Sequence, residues 1–134
     1  MIAYTFDLSN VNWAGMKSVL KDDNFDNGRS VDQYKTSFEN SFAACIAYDG
    51  ERMVGNVRVL SDGICNAYIV DVWTHSAYRH QGIATQMMKL CIGKLPGQHI
   101  YLFTDDRVDF YHTLGFKEQG VGLAVISGTW LENH

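Results

Sequence analysis

Arg79-His80-Gln81-Gly82-Ile83-Ala84 is the stretch of this chain best equipped for chemistry. It lies between a short apolar run, Ala67 to Trp73, and a segment with apolar residues at Ile83, Met87, Leu90 and Cys91. The run reads as a strand buried on both faces, and the spacing that follows reads as a helix. The first turn of a helix has backbone N–H groups with no intrahelical partner, and the macrodipole adds partial positive charge there. A strand, a basic turn and a helix N-terminus therefore make a place for an anion, above all a phosphate. Gly82 lacks a Cβ and lets backbone approach such a ligand, and Arg79 can add a bidentate charged contact.

The elements that must hold this turn can be read along the chain. Tyr4, Phe6 and Leu8 alternate with Thr5 and Asp7 as a first strand. Ser9 and Asn10 are candidate caps for a helix over Val11–Leu20. Ser30 and Gln33 form a capping-box pair ahead of a second helix over residues 31–40, with Val31, Tyr34 and Phe38 on one face. Phe42–Tyr48, Met53–Leu60 and Ile64–Trp73 are three strands joined at Asp49-Gly50 and Asp62-Gly63, an antiparallel meander. The Gly82 helix should run to about Lys94, where Pro96-Gly97 stops it. Ile100–Phe103 is a strand parallel to the one before the helix, since a helix separates them. Asp105 or Asp106 can cap a short helix over Arg107–Leu114, with Gly115 at its left-handed end. Phe116 onward and Gly122–Leu131 read as two final strands.

Composition bounds the possibilities. The 134 residues suit one domain, 1–134, and 46% hydrophobic residues would fill its core. A net charge of −4 argues against a general nucleic-acid binder. Cys45, Cys65 and Cys91 are odd in number and lie within apolar runs, as expected of small core residues in a reducing compartment. No Cys/His pair has zinc-ligand spacing, so no metal is expected. The N-terminus has neither the basic region nor the apolar stretch of a signal peptide, and no run is long enough to span a bilayer. A soluble cytoplasmic protein without membrane or nucleic-acid partners is the expectation.

Two blocks resemble the GCN5-related N-acetyltransferase (GNAT) superfamily. Val72 followed by Arg79-x-x-Gly82-x-Ala84 matches its acyl-CoA pyrophosphate motif, and Phe110-Tyr111-x-x-x-Gly115-Phe116 matches the block at its fourth helix and sixth strand. Their order, their spacing and the meander before them carry the resemblance over nearly the whole chain. It implies an α+β (α/β) acyl-CoA N-acyltransferase fold. That fold has a mixed, mostly antiparallel sheet of about six to seven strands, flanked by about four helices, with splayed parallel strands at the cofactor site.

The resemblance also implies a chemistry: transfer of an acetyl group from acetyl-CoA to a primary amine of a small molecule or peptide, by direct attack on the thioester. The amides of Gln81, Gly82, Ile83, Ala84 and Thr85 would hold the pyrophosphate, with Arg79 beside them and His80 in reach. The strand edge at Val72, Trp73 and Thr74 would pair with the pantetheine arm. The Val72 amide would polarise the thioester carbonyl, and Tyr111 matches the tyrosine that protonates the departing thiolate. A lysine-like amine must first lose a proton, at a cost of roughly 4 kcal/mol at neutral pH. Asp71, a carboxylate in an otherwise apolar strand, is a candidate general base; it could equally accept backbone hydrogen bonds or order the Arg79 turn.

Residues 22–39 hold Asp22, Asp23, Asp26, Asp32 and Glu39 against Arg29 and Lys35. An acidic wall there would suit a cationic amine, and a solvated helix face explains it equally well. Phe25, Tyr34 and Phe38 can line an acceptor site or form a core stripe. A final strand pairing across a two-fold axis, as in some relatives, would make a homodimer. The competing readings are an acyl-CoA-binding or regulatory module of the same fold without catalysis, and a different phosphate-containing ligand on the turn.

Overall fold

The computed structural model describes residues 1–131. Five strands form one sheet in the order β1-β2-β3-β4-β5: β1 (Ile2–Thr5), β2 (Ala43–Asp49), β3 (Arg52–Ser61), β4 (Asn66–Thr74) and β5 (His99–Tyr101). The first four are antiparallel neighbours, and β5 runs parallel to β4. The helices are α1 (Trp13–Asp22), α2 (Val31–Glu39), α3 (Ile83–Ile92) and α4 (Val108–Thr113). The architecture is mixed α+β with a mostly antiparallel sheet, as expected.

The period of β2 shows how the two faces are filled. Ala44 and Ile46 pack with Met16 and Leu20 of α1 and Tyr34 and Phe38 of α2. Cys45 and Ala47, between them, pack with Ile83, Met87 and Cys91 of α3. Alternate side chains of a strand point to opposite faces, so an all-apolar strand must be covered twice. A Cβ on Gly55 of β3 would lie 2.8 Å from Met87 Cε and 3.1 Å from the Trp73 carbonyl, so glycine is what lets α3 sit this close to the sheet.

Several expectations need correction. The sheet has five strands, because no strand forms over residues 116–131. Left-handed glycines at 120 and 128 break that segment, and the three-residue β5 offers little ladder to pair with. Instead the Phe103 ring lies against the backbone of Gly122. Val121, Leu123 and Val125 are left almost fully exposed. α1 is capped by Asn12, whose Oδ1 accepts from the Gly15 amide at 2.9 Å, and not by Ser9 or Asn10. α3 ends at Ile92, before Pro96 is reached. α4 has no side-chain cap; Thr104, not Asp105 or Asp106, accepts from the Arg107 amide. Cys65 is exposed, its thiol bonded to Asp62 and Asn66, so only Cys45 and Cys91 are core residues.

Candidate active site

β4 and β5 pair only over Asn66–His99, Ala67–Ile100 and Tyr68–Tyr101. Beyond Tyr68 the two strands part, and a cleft of about 560 Å³ opens between them. It is lined by Ile69–Thr74 of β4, Leu102–Thr104 after β5, the start of α3 and Phe110 and Tyr111 of α4. One flank of β4 thus has no strand on it, which is why Val70, Asp71 and Val72 are half-buried where two buried faces were expected.

The α3 end of the cleft has the backbone geometry that suits an anion. Gly82 is the N-cap at φ 80°, and no side chain caps the helix. A residue with a Cβ is strained at that angle whatever space surrounds it. His80 also has positive φ, so the turn curls twice within three residues. Alternation of this kind turns successive N–H groups toward one concavity, the shape that cradles phosphates. The first-turn amides of Ile83, Ala84 and Thr85 have no helical acceptor. All three residues line the cleft, as do Gly82, His80 and Arg79. Arg79 also donates from Nε to the Thr74 carbonyl at 3.4 Å, tying the turn to the end of β4. Gln81, placed here by motif, does not reach the cleft wall.

Tyr111 sits at the opposite wall, 7% exposed, edge-on to Phe110 and Phe116. Burial raises its pKa above the ordinary value of 10; Arg107 lowers it and Asp106 raises it to a lesser degree. Among the described residues its hydroxyl has no hydrogen-bond partner. A buried phenol that stays protonated and is free to donate is a proton source.

Between these walls β4 carries a bulge. Arg58 lies opposite Val70 and Asn56 opposite Trp73, so the single residue Val57 faces two, Asp71 and Val72. Asp71 is left-handed there, at φ 57°. Its Oδ2 accepts from Arg58 Nε at 2.7 Å and pairs with Arg29 Nη2 at 3.0 Å. Proton abstraction through that oxygen would have to break an ion pair. The arrangement favours an ordering role over a base, but the ordered element is the bulge, not the Arg79 turn. Trp73 is 2% exposed, is part of the core and still touches the cleft.

The acidic residues of 22–39 do not line the cleft; only Phe25 of that stretch does. Asp23 accepts from Trp73 Nε1 at 2.9 Å and from the Ser76 amide at 3.0 Å. Asp26 accepts from Lys17 Nζ at 3.0 Å and Tyr34 Oη at 2.5 Å. Tyr34 and Phe38 are core, as their spacing also allowed. His75 spends Nδ1 on the Ala77 amide, and His112 pairs with Glu118, so neither joins the site. Sequence reasoning missed Tyr68, Phe103 and Arg107 of the cleft wall, and Arg29 behind it. No local signal marks the three aromatic and basic wall residues; the one cue for Arg29 is that it is a single arginine among acids. Among the described residues no group of three or more His, Cys, Asp or Glu could hold a metal ion, and no helix is long and apolar enough to cross a membrane.

Comparisons with known proteins agree with this geometry. The model of the acetyltransferase (GNAT) domain family matches residues 40–118. Histone acetyltransferase TAP1 of Glycine max is 33% identical over 88 residues, which are 63% of this chain and 37% of that protein. The chain thus spans little more than a third of that relative's length. Among solved structures, a GNAT-family acetyltransferase from Streptococcus pneumoniae TIGR4 superposes with a TM-score of 0.77 at 21% identity, over 95% of this chain and 97% of that one. A Staphylococcus aureus protein described as a probable acetyltransferase gives a TM-score of 0.81 at 18% identity, over 95% and 100%. At these identities the structural likenesses show the fold.

Proposed function

The chain belongs to the GNAT acetyltransferase family, and from that premise we propose that it is an acetyl-CoA-dependent N-acetyltransferase acting on a primary amine of a small molecule or peptide. One observation carries the reading. A buried, unpartnered phenol, Tyr111, shares a cleft with the uncapped N-terminus of α3 and the bulged residue Val72. The residues fit a CoA thioester. The Ile83, Ala84 and Thr85 amides and Arg79 would hold the pyrophosphate. The open edge of β4 from Val72 to Thr74 would receive the pantetheine arm as a strand receives a neighbour.

Acetyl-CoA supplies the activated acyl carbon. The Val72 amide donates toward the carbonyl oxygen, where negative charge grows as the amine attacks. The amine's proton passes to water in the cleft. Tyr111 gives its hydroxyl proton to the sulfur as the carbon–sulfur bond breaks. Phe25, Tyr68 and Phe103 line the cleft and would form apolar walls for the acceptor. The alternative, a binding module without catalysis, is disfavoured by Tyr111, since a pure binder needs no free phenol.

The test combines thermal shift with thiol release, using acetyl-CoA and a panel of polyamines, arylalkylamines, amino acids and lysine peptides. Stabilisation with release on one amine class is expected. Tyr111→Phe should bind CoA as the wild type does and lose about 10²–10⁴ in kcat. Unchanged turnover would remove Tyr111 from the mechanism, and no stabilisation by acetyl-CoA would overturn the reading of the turn.

A further inference from the structure

Both neighbours of Val72 are held by one loop, and that loop comes from the far side of the sheet. Arg29 pairs with Asp71, the residue before Val72, at 3.0 Å. Asp23 accepts from the indole of Trp73, the residue after it, at 2.9 Å, and from Ser76 further along. The loop is itself tightly braced. The Arg29 side chain is 8% exposed. Its Nε donates to Asn27 Oδ1 at 3.0 Å and its Nη1 to Ser37 Oγ at 2.9 Å. Its guanidinium lies 4.3 Å from the Tyr34 ring centroid. Lys17 Nζ donates to the Arg29 carbonyl at 2.6 Å, and Asp26 joins Lys17 to Tyr34.

Such a construction is poorly explained by stability alone. Burying ions costs desolvation, and apolar residues of the same volume often stabilise as well or better. Buried ion pairs are best attested where they fix one register or geometry among several. The geometry to be fixed here is unusual, because Asp71 has φ 57° within a strand. Non-glycine residues keep that conformation when their surroundings over-determine it. Two guanidiniums on one carboxylate oxygen do so, Arg58 from β3 and Arg29 from the loop.

We infer that Arg29 and Asp23 are positioning residues: they grip the bulge on either side of Val72 and so aim its amide at the thioester. The inference rests on the role proposed above for Val72. The same loop carries Phe25 into the cleft, so the acceptor wall and the donor's polarising amide belong to one braced part.

Arg29→Met tests it, with Arg29→Lys as the conservative variant and the Asp71→Gly/Arg29→Met double variant as control. In Arg29→Met, kcat should fall about 100-fold, the scale of a small misplacement of a reacting group, with KM for acetyl-CoA within about twofold of wild type. Arg29→Lys keeps the charge without the planar fork and should fall between them. In the double variant part of the lost kcat should return, because glycine holds positive φ without a clamp. In ¹H–¹⁵N spectra of the CoA-bound protein, Arg29→Met should move the Val72 amide signal and leave Ile83, Ala84 and Thr85 in place. An unchanged kcat, an unmoved Val72 signal, or equal losses in kcat and CoA affinity would overturn the inference. If the wild type acetylates no amine, the proposed reaction fails, and the Val72 signal alone decides the clamp.

Discussion

The two sides of the cleft treat polar groups in opposite ways. At the α3 turn, the first-turn amides have no side-chain cap, and two residues hold positive φ to keep them turned outward. On the α1–α2 side nearly every charge near the sheet is matched. Lys17, Asp26, Tyr34, Arg29, Ser37, Arg58 and Asp71 form one connected network. α2 is closed by a full capping box. Unsatisfied donors are costly when buried, so a site that leaves them open is waiting for a ligand to complete it. A satisfied network has nothing left to offer a ligand, and what it supplies is geometry. In the roles proposed above, one side binds and the other aims.

Substitutions should separate the two behaviours. Gly82→Val would force a β-branched residue to φ 80° and turn away the helix amides. We expect CoA affinity to fall about 100-fold, the worth of one or two charge-assisted hydrogen bonds. Space around Gly82 is open, so the folding cost is the backbone strain alone, about 1–2 kcal/mol and less than the loss in binding; titration calorimetry beside a melting curve checks this. Equal losses would make the turn mainly structural and break the contrast. Asp26→Ala should do the reverse. It leaves Lys17 only the Arg29 carbonyl and takes the acceptor from the Tyr34 hydroxyl, and urea unfolding should show a loss of about 1–3 kcal/mol with CoA affinity unchanged.

A smaller effect is expected with pH. Burial works to raise the pKa of Asp23, but donors from Ser76 and Trp73 and the nearby His75 outweigh it and hold it below the ordinary carboxylate value. Its folded pKa is therefore lower than its unfolded one. The stability it contributes is present above about pH 3.9 and is lost as pH falls through the lower folded value. The hydrogen bond from the Trp73 indole N–H to Asp23, read as slow exchange of that proton, should persist from pH 7 to about 4 and be lost only below that. Its loss already near pH 6 would mean that the loop is held by something other than Asp23.

The exposed run Val121-Gly-Leu-Ala-Val-Ile126 belongs to neither side. Apolar patches of this kind mark interaction surfaces, and we propose that it pairs two copies of the chain. Sedimentation should show self-association that Leu123→Lys abolishes without altering CoA binding; a monomer at all concentrations would remove the proposal.

The sequence was most legible where function is local. The Arg79–Ala84 turn reads as an anion site because six consecutive residues set positive φ and helix start, and backbone geometry over that distance follows from residue type. The meander, the parallel β5 and the α2 capping box were legible for the same reason. The final strands were not. Residues 116–131 have β-like alternation, but a strand also needs a ladder, and β5 provides only three residues. Cys65 lies in an apolar stretch and ends exposed, because a turn held by Asp62 carries it outward.

What tertiary structure alone decided is the use of the charged residues. Asp71 reads as a base or as an ordering group until Arg29, forty-two positions away in the chain, and Arg58 are seen to share its oxygen. The acids of residues 22–39 read as a wall for a cation until Asp23 and Asp26 are found turned to the Trp73 indole, Lys17 and Tyr34. A charge acts through its nearest neighbours in space, and screening and burial change its meaning within a few ångströms. Sequence spacing carries that information within a turn or a helix; between a loop and a strand across the sheet, only the packed fold does.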